Sequence, residues 1–311
     1  MQVIPFNRVY QHQAKGICAA IGVFDGVHRG HQEVIHQLLN DAHRRDAIPV
    51  VITFDKHPIS VLNSEHAPKM IYSLETKLEI LERYGVETVA LIPFDSQIAQ
   101  LSAEEFFEII SKSLSPLMTL CMGTGFVFAR DRSGNIEKLR ELASAHISGQ
   151  VTWVHEISSV CSGGLRISST RIRGEILKGN LSEVSSMLGR EYSLISEVEQ
   201  GDKIGRTIGF PTANLKIAGR AIPPSGVYAV KVRTGMGEFK GCLNIGIRPT
   251  LNRLQPELRA EVHLLDFKGD LYGKTIEVIP VKRLRNEKKF SSEEELRKQI
   301  AADVLEVHTV F

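Results

Sequence analysis

Short apolar runs alternate with amphipathic stretches over the first half of the chain. Residues 17–23 are apolar almost without interruption, which is typical of a strand buried on both faces of a parallel sheet. Further runs of strand length follow at residues 50–54, 88–93, 119–122 and 151–154. Stretches with helical spacing of apolar residues separate them, at residues 31–45, 74–84, 103–113 and 135–146. This alternation predicts an α/β domain with a parallel sheet wound by crossovers.

The pattern changes close to Gly189, where a short amphipathic helix at residues 181–188 ends. Short strands with Gly and Pro turns follow, at residues 192–199, 212–216, 226–233, 239–246, 259–265 and 275–284. Six such strands with little helix predict a small closed β-barrel. A terminal helix follows, with Ser292 as its expected N-cap and Glu295 three residues later. We therefore predict two domains, residues 1–187 and residues 188–311.

Composition agrees with a globular chain of two domains. The 311 residues carry 38 Lys and Arg against 36 Asp and Glu, and this balance does not indicate a nucleic-acid-binding protein. We expect a cytoplasmic protein, since the sequence has neither an apolar run of about 20 residues nor a signal-peptide pattern. The cysteines lack the spacing of a zinc site or a disulfide framework. They are Cys18, Cys121, Cys161 and Cys242.

The string G-V-F-D-G-V-H-R-G-H at residues 22–31 joins the first predicted strand to its helix. Its glycines allow close backbone approach, and amides of the first helical turn point toward any anion bound there. His28 and His31 lie three residues apart, on one side of that turn. Taken singly, they read as ordinary loop histidines; together they can donate to phosphoryl oxygens and stabilise developing charge. This loop predicts a phosphate site.

Two more strings fall at places where this site can be completed. F-D-K-H-P at residues 54–58 follows the second strand, so His57 is expected at the same edge of the sheet. I-S-S-T-R-I-R at residues 167–173 opens a helix. Hydroxyls at a helix start usually act as caps. Three hydroxyls followed by two arginines can also grip a triphosphate through amides, hydroxyls and guanidinium groups.

Three strings in the second half carry the remaining candidate chemistry. Residues 205–214 read G-R-T-I-G-F-P-T-A-N, and residues 244–250 read N-I-G-I-R-P-T. The third, E-V-H-L-L-D-F, begins at Glu261. In an unrecognised barrel, Glu261 would be interpreted as a solvent-facing residue of an alternating strand, and the glycines as a hairpin loop.

Together these strings resemble the bacterial bifunctional riboflavin kinase/FAD synthetase family, in the family's order from residue 22 to residue 290. The first string is similar to the G-x-F-D-G-x-H-x-G-H form of the H-x-G-H nucleotidyltransferase signature, and residues 205–214 are similar to the riboflavin kinase motif. The resemblance implies a Rossmann-like adenylyltransferase domain that transfers AMP from ATP to FMN. It also implies a kinase barrel that converts riboflavin to FMN with ATP and Mg2+. The expected partners are these small molecules, with no nucleic acid or membrane.

The resemblance also implies roles for individual residues. Those expected to act in catalysis are Glu261, His28 and His31. Those expected to bind ATP in the adenylyltransferase are Gly22, Phe24, Asp25, Gly30, Ser168, Ser169, Thr170 and Arg171. Those expected to bind ATP in the kinase are Gly205, Gly209, Pro211, Thr212 and Asn214, and Thr212 and Asn214 are also the expected metal ligands. Those expected to bind flavin are His57, Arg285 and Phe290.

Three positions depart from the family pattern. G-T-G-F-V-F-A at residues 123–129 has Gly125 where the family carries Asp or Asn, and Ala129 where it carries Gly. Met70 stands where an arginine is common. Loss of one polar contact costs about 1–3 kcal/mol. One alternative is therefore a riboflavin kinase whose adenylyltransferase is impaired or altered; another is a non-catalytic, flavin-sensing regulatory protein.

Overall fold

A computed structural model describes residues 1–6, 15–145, 153–200, 209–248 and 257–311. The chain forms two compact units, Met1–Ser169 and Thr170–Phe311. The division falls at the start of the helix Ser169–Lys178, so most of this helix and all of the next one, Leu181–Leu188, group with the second unit. The boundary between residues 187 and 188 stays a prediction.

The first unit is built on a parallel sheet of six strands. They are β1 (Gln2–Pro5), β2 (Ile17–Ile21), β3 (Ile48–Phe54), β4 (Thr88–Ile92), β5 (Leu117–Gly123) and β6 (Trp153–Ile157). Their order is β1-β4-β3-β2-β5-β6, and all neighbours run parallel. The chain winds outward in both directions from β2, so the switch point lies between β2 and β5. Ligands of such sheets bind beyond the carboxyl ends of the strands at this point.

Helices connect these strands, and the predicted parallel α/β fold is confirmed. They are α1 (Arg29–Arg45), α2 (Ile59–Leu62), α3 (Leu74–Arg83), α4 (Ser96–Gln100), α5 (Ala103–Ser113) and α6 (Ile136–Ala145). All five residues of β2 are buried, as expected for a central strand covered on both faces. A two-stranded hairpin, β7 (Cys161–Ser162) and β8 (Leu165–Arg166), ends the unit. Strand β1, in which Ile4 is the sole buried residue, was not predicted from the sequence.

The second unit begins within α7 (Ser169–Lys178), includes α8 (Leu181–Leu188), and continues into an antiparallel barrel. Gly189 ends α8 in a left-handed conformation at φ 70°, which glycine adopts without steric cost. The strands are β9 (Leu194–Glu199), β10 (Ala213–Leu215), β11 (Gly226–Thr234), β12 (Gly237–Arg248), β13 (Glu257–Leu264) and β14 (Thr275–Arg285). They close in the order β10-β13-β12-β11-β14-β9. The predicted six-stranded barrel is confirmed.

A final helix, α9 (Glu293–Val310), packs on the barrel. The Ser292 side chain accepts a hydrogen bond from the Glu295 backbone N–H, so the predicted N-cap is confirmed. Val307 is fully buried in a cluster with Val227 and Cys242 of the barrel strands. This packing places the last turns of α9 against β11 and β12.

Candidate active sites

The two predicted histidines meet at the N-terminus of α1, just beyond the carboxyl end of β2. His28 caps the helix, and its Nδ1 accepts the backbone N–H of His31 at 3.3 Å. The two imidazole rings stack with centroids 3.6 Å apart and planes 16° apart. Because Nδ1 of His28 accepts, the proton of the neutral ring is on Nε2, where it can be donated to a ligand. The structure therefore brings both histidines together at the positive end of a helix.

The loop before α1 is strained. Phe24 has φ 51° and Val27 has φ 40°, a left-handed region that is unfavourable for a β-branched residue. Gly26 also has a left-handed φ, 83°, where glycine carries no such cost. Strained residues of this kind cost about 1–3 kcal/mol each and persist where surrounding contacts fix them.

Asp25 supplies two of the contacts that fix this loop. Its buried carboxylate accepts the backbone N–H of Ile71 at 3.0 Å, and its carbonyl accepts the hydroxyl of Ser169 at 2.9 Å. The predicted phosphate-site residues Asp25 and Ser169 are thus in direct contact, 144 positions apart in the chain. The segment in which Met70 departs from the family pattern supplies the Ile71 amide that holds Asp25.

The glycines Gly22 and Gly30 lie where side chains would press on the site. A Cβ on Gly22 would come within 3.1 Å of the Phe24 ring. A Cβ on Gly30 would come within 3.2 Å of Nδ1 and Cε1 of His28. Both glycines therefore keep space around rings that border the predicted phosphate site.

His57 lies in the turn between β3 and α2. Its Nδ1 accepts the backbone N–H of Ile59 at 3.2 Å, and its carbonyl accepts the hydroxyl of Ser60 at 2.7 Å. The loop at residues 22–28, which leads to His28 and His31, is called the histidine loop below. Because β3 is the sheet neighbour of β2, His57 lies at the same sheet edge as this loop. Its role in binding flavin stays a prediction.

The division between the two units falls within the string I-S-S-T-R-I-R at residues 167–173, called the serine motif below. Ser168 and Ser169 belong to the first unit, whereas Thr170 and Arg171 belong to the second. Within the second unit, the Arg171 guanidinium forms an ion pair with Glu183 of α8 at 2.6 Å. The prediction that Arg171 binds phosphate thus concerns a side chain that also holds α7 against α8.

Two residues that the sequence analysis missed border the first site. Arg166 donates a hydrogen bond to the Thr124 carbonyl, and its guanidinium lies 3.4 Å from where a Cβ on Gly125 would stand. Gly125 has φ 73°. An arginine therefore lies beside the position where the family carries a polar side chain. Lys77 of α3 is buried beneath the loop at residues 22–28 and donates to the Val23 carbonyl at 3.3 Å. Its burial lowers its pKa to about 8.

The second site lies on neighbouring strands of the barrel. Glu261 of β13 lies opposite Asn214 of β10 on one side and Asn244 of β12 on the other. Directly opposed residues of antiparallel strands project from the same face of the sheet. The Thr212 hydroxyl donates to Oε2 of Glu261 at 3.4 Å. Three predicted site residues from two separate motifs, Thr212 and Asn214 of one and Glu261 of the other, are therefore brought together.

His263 was not predicted, and it fixes the approach of the chain to Thr212. Its Nδ1 donates to the Pro211 carbonyl at 2.8 Å, and its ring contacts Phe210 edge-on at 5.5 Å. The signal in the sequence was its position two residues after Glu261, which places both on one face of β13. Gly209 has φ 89°, and Gly205 lies outside the described residues.

The predicted flavin-binding residues Arg285 and Phe290 lie together at the end of β14. The Arg285 guanidinium lies 5.9 Å from the centre of the Phe290 ring. The same guanidinium donates to both carboxylate oxygens of the buried Asp303 in α9, at 2.8 and 2.7 Å. This bidentate pair fixes the orientation of Arg285.

Thr212, Asn214 and Glu261 present the oxygen donors of a hydroxyl, an amide and a carboxylate at one place on the barrel. These are hard ligands, which fit a Mg2+ that keeps water and phosphate oxygens in its shell. The described residues contain no group of three or more His, Cys, Asp or Glu side chains arranged to hold a metal. A softer metal such as zinc therefore has no such ligand group in that part of the chain.

Two family models match the chain, one in each half. The model described as riboflavin kinase matches residues 188–311, and the model described as FAD synthetase matches residues 10–171. The second match begins before the histidine loop and ends within the serine motif. The riboflavin kinase match contains Thr212, Asn214 and Glu261.

Curated relatives match over nearly the whole length. Bifunctional riboflavin kinase/FMN adenylyltransferase of Escherichia coli strain K12 is 37% identical over 307 residues, which are 98% of this chain and 96% of the relative. The protein of the same name from Haemophilus influenzae is 38% identical over 96% of this chain and 94% of its own. That of Bacillus subtilis is 34% identical over 99% and 96%.

A solved structure from Streptococcus pneumoniae, described as a macrolide-efflux protein, is 31% identical and covers 98% of both chains with a TM-score of 0.82. Among the described residues of the present chain, no helix combines the length and the apolar character that a membrane crossing requires.

Proposed function

This chain belongs to the bifunctional riboflavin kinase/FMN adenylyltransferase family, and we propose that Glu261 acts in its kinase site and that His28 and His31 act in its adenylyltransferase site. The chain phosphorylates riboflavin to FMN with ATP, and adenylylates FMN to FAD with release of pyrophosphate. Both domains match, so the comparisons favour two activities over a kinase alone or a regulatory protein.

In the kinase, Glu261 is the proposed general base. The ribityl 5'-hydroxyl attacks the γ-phosphorus of ATP, and Glu261 takes the hydroxyl proton as the new O–P bond forms. The bond between the γ-phosphorus and the β–γ bridging oxygen breaks, and ADP leaves with that electron pair. The Thr212 hydroxyl, 3.4 Å from Oε2, helps to orient the carboxylate. Convergence of Thr212, Asn214 and Glu261 on one face of the barrel is the observation that supports this role most directly.

Thr212 and Asn214 are the proposed protein ligands of Mg2+. When bound, the ion would neutralise charge on the phosphate oxygens. The two side chains would hold the ion with neutral oxygen atoms. The Glu261 carboxylate is then not needed as a ligand and can accept the hydroxyl proton.

In the adenylyltransferase, the FMN phosphate is the nucleophile. One of its oxygens attacks the α-phosphorus of ATP, the bond to the β-phosphate oxygen breaks, and pyrophosphate leaves with that electron pair. No proton has to leave the nucleophile, so the chain contributes position and charge stabilisation. We assign the stabilisation to Nε2 of His28, to His31 and to the first amides of α1. Ser168 and Ser169 are the proposed triphosphate ligands of this unit, with Gly22, Phe24, Asp25 and Gly30 forming the loop. For Thr170 and Arg171, binding of the triphosphate stays a prediction from the motif.

The flavin contacts are proposed at both sites. Phe290 offers an aromatic face at the kinase site, and Arg285, fixed by Asp303, holds it in place. His57 is the proposed flavin contact of the adenylyltransferase. Gly205, Gly209 and Pro211 are proposed to form the kinase ATP loop. A cytoplasmic location and the absence of a nucleic-acid partner stay predictions, which cell fractionation and a gel-shift assay at low salt would check.

The experiment separates the two sites in one chain. Products are resolved by chromatography in reactions started from riboflavin or from FMN, each with ATP and Mg2+. We expect Glu261→Gln to lower FMN formation by about 10²-fold or more and to leave FAD formation from FMN unchanged. His31→Gln should lower FAD formation from FMN by about 10²-fold and leave the kinase unchanged.

Glu197→Gln is the matched control, because Glu197 is an exposed glutamate on strand β9 of the same barrel. It should leave both rates unchanged. Equal loss of both activities in Glu261→Gln would contradict the assignment of two separate sites.

A further inference from the structure

Lys77 is a buried lysine on the inner face of α3. It is 3% exposed and lies on the same buried stripe as Ile80 and Leu81. Its ammonium donates three hydrogen bonds, to the Val23 carbonyl at 3.3 Å, the Thr53 hydroxyl at 3.1 Å and the Phe54 carbonyl at 2.7 Å. An ammonium has three protons, so these acceptors use its full donor capacity.

The three acceptors lie at the ends of two adjacent strands. Val23 follows β2 and opens the loop that carries His28, whereas Phe54 ends β3 and precedes the segment that carries His57. The Thr53 hydroxyl also donates to the Val23 carbonyl at 3.1 Å, so the two strand ends are tied directly and through Lys77. One ammonium therefore fixes the starting points of both loops at the sheet edge.

Two carboxylates face this ammonium, one from each loop. Asp25 follows β2 and holds the Ile71 amide; Asp55 follows β3 and holds the Phe94 amide at 2.9 Å. Both favour the charged lysine, but burial outweighs them and lowers its pKa to about 8. The fold thus keeps a charged group where it is costly, although an apolar side chain of similar length would fill the same space.

We propose that Lys77 is a positioning residue for adenylyl transfer, whose ammonium holds the strained loop at residues 22–28 so that His28 and His31 face the reacting phosphates. The loop has left-handed backbone at Phe24 and Val27, and this conformation needs contacts that fix it. Lys77 supplies such a contact at Val23, next to the first strained residue. This inference rests on the adenylyltransferase assignment of the first unit.

Lys77→Met is the variant of choice, because methionine keeps the unbranched shape and removes the charge. We expect kcat for FAD formation from FMN to fall by about 10- to 100-fold, a loss typical of misplaced catalytic groups. The KM for ATP should change less than kcat, since the serine motif is untouched. Kinase activity, measured in the same preparation, should stay unchanged.

Two further variants test whether the loss is specific to the charge at position 77. Lys112→Met is the matched control, because Lys112 is an exposed lysine on α5, paired with Glu108 on the surface; it should leave both activities unchanged. Lys77→Arg restores the charge, but its planar fork fits the three acceptors imperfectly. It should recover part of the lost adenylylation.

The pH dependence distinguishes positioning from a merely structural role. Because the folded pKa of Lys77 lies below its value of 10.5 in the unfolded chain, the unfolded state binds this proton more tightly. This group therefore makes the first unit more stable as the pH rises from about 8 to 10.5. Positioning requires the charged form in the folded chain, so adenylylation should fall as the pH rises through about 8. Stability and activity are thus expected to change in opposite directions, and Lys77→Met should lack both changes.

The outcomes separate this proposal from the assignment on which it rests. If the wild-type chain makes no FAD from FMN, the adenylyltransferase assignment is wrong and the role of Lys77 falls with it. If the wild type makes FAD and Lys77→Met keeps its kcat within about two-fold, the role of Lys77 alone is overturned. Should Lys77→Met fail to fold, the wild-type profile decides: adenylylation that does not fall relative to the kinase above about pH 8 overturns the role.

Discussion

Gly26 offers a sharp test of the packing that supports the histidine loop. It has φ 83°, and a Cβ built on it would lie 2.8 Å from Cδ1 of Ile71. Gly85, after α3 in the same unit, has φ 86°, but its Cβ would lie 3.6 Å from Leu39. The two positions share one backbone conformation and differ in space, so alanine at each separates the clash from the conformational cost.

The magnitudes follow from these two terms. A left-handed alanine costs about 1–2 kcal/mol relative to glycine, and this term applies to both variants. A contact of 2.8 Å is shorter than real Cβ atoms show, so the terminal methyl of Ile71 must move. Because Ile71 is fully buried, this movement should cost the about 1–3 kcal/mol that is typical of overpacking. Gly26→Ala should therefore lose about 1–3 kcal/mol more than Gly85→Ala. The backbone amide of Ile71 holds Asp25, so strain passed from the displaced side chain to this amide should lower adenylylation as well.

The single tryptophan makes the assay specific. Trp153 lies in β6, so its fluorescence in a urea titration reports on the first unit. We expect a lower free energy of unfolding and at least about 10-fold slower FAD formation for Gly26→Ala. Gly85→Ala should retain adenylylation, and both variants should keep the kinase. Equal losses of stability in the two variants would refute the argument that the Ile71 contact matters.

Two other predictions concern the barrel and the cysteines. Asp303→Asn leaves the partly buried Arg285 without its carboxylate, and we expect a loss of about 2 kcal/mol in barrel stability, the size of one hydrogen bond to a charged group. The KM for riboflavin should rise several-fold, and an unchanged KM would contradict the placement of Arg285 at the flavin site. Iodoacetamide at about pH 8 should label only Cys161 in the native protein, since that thiol is exposed. Mass spectrometry should show the other thiols labelled only in denaturant, because burial raises their pKa, that of Cys242 to about 12. They are Cys18, Cys121 and Cys242.

The spacing of apolar residues predicted most helices and strands, because most helices bury one regular stripe and most strands bury one or both faces. The helix at residues 103–113 was predicted with the bounds that the structure gives, and its Ser102 and Glu105 form a capping box. Strand β1 was missed for the opposite reason. It is four residues long, at the edge of the sheet, with one buried side chain, and so has no period to recognise.

The site was predicted where a motif is continuous in sequence and was missed where it is not. His28 and His31 lie within one turn, so their proximity follows from helix geometry. Thr212 and Glu261 are 49 positions apart, and before the structure only the family resemblance connected them. The contact of Arg166 with the loop that contains Gly125 could not be predicted from the sequence. It depends on how the β7–β8 hairpin lies beside that loop.

Lys77 differs from these cases, because its signal was present in the sequence. On α3 it lies three and four residues before Ile80 and Leu81, the spacing of one helix face, and that face is the buried one. A lysine on an apolar stripe either extends its ammonium to solvent or is paired inside the protein. A lysine at the edge of the apolar stripe can extend its ammonium to solvent. Lys77 is paired inside the protein instead, because the ends of β2 and β3 offer its ammonium three oxygen acceptors. Because Lys77 lies in the first turn of α3, its buried charge is directed to the carboxyl ends of β2 and β3, the sheet edge where α/β enzymes place their ligands.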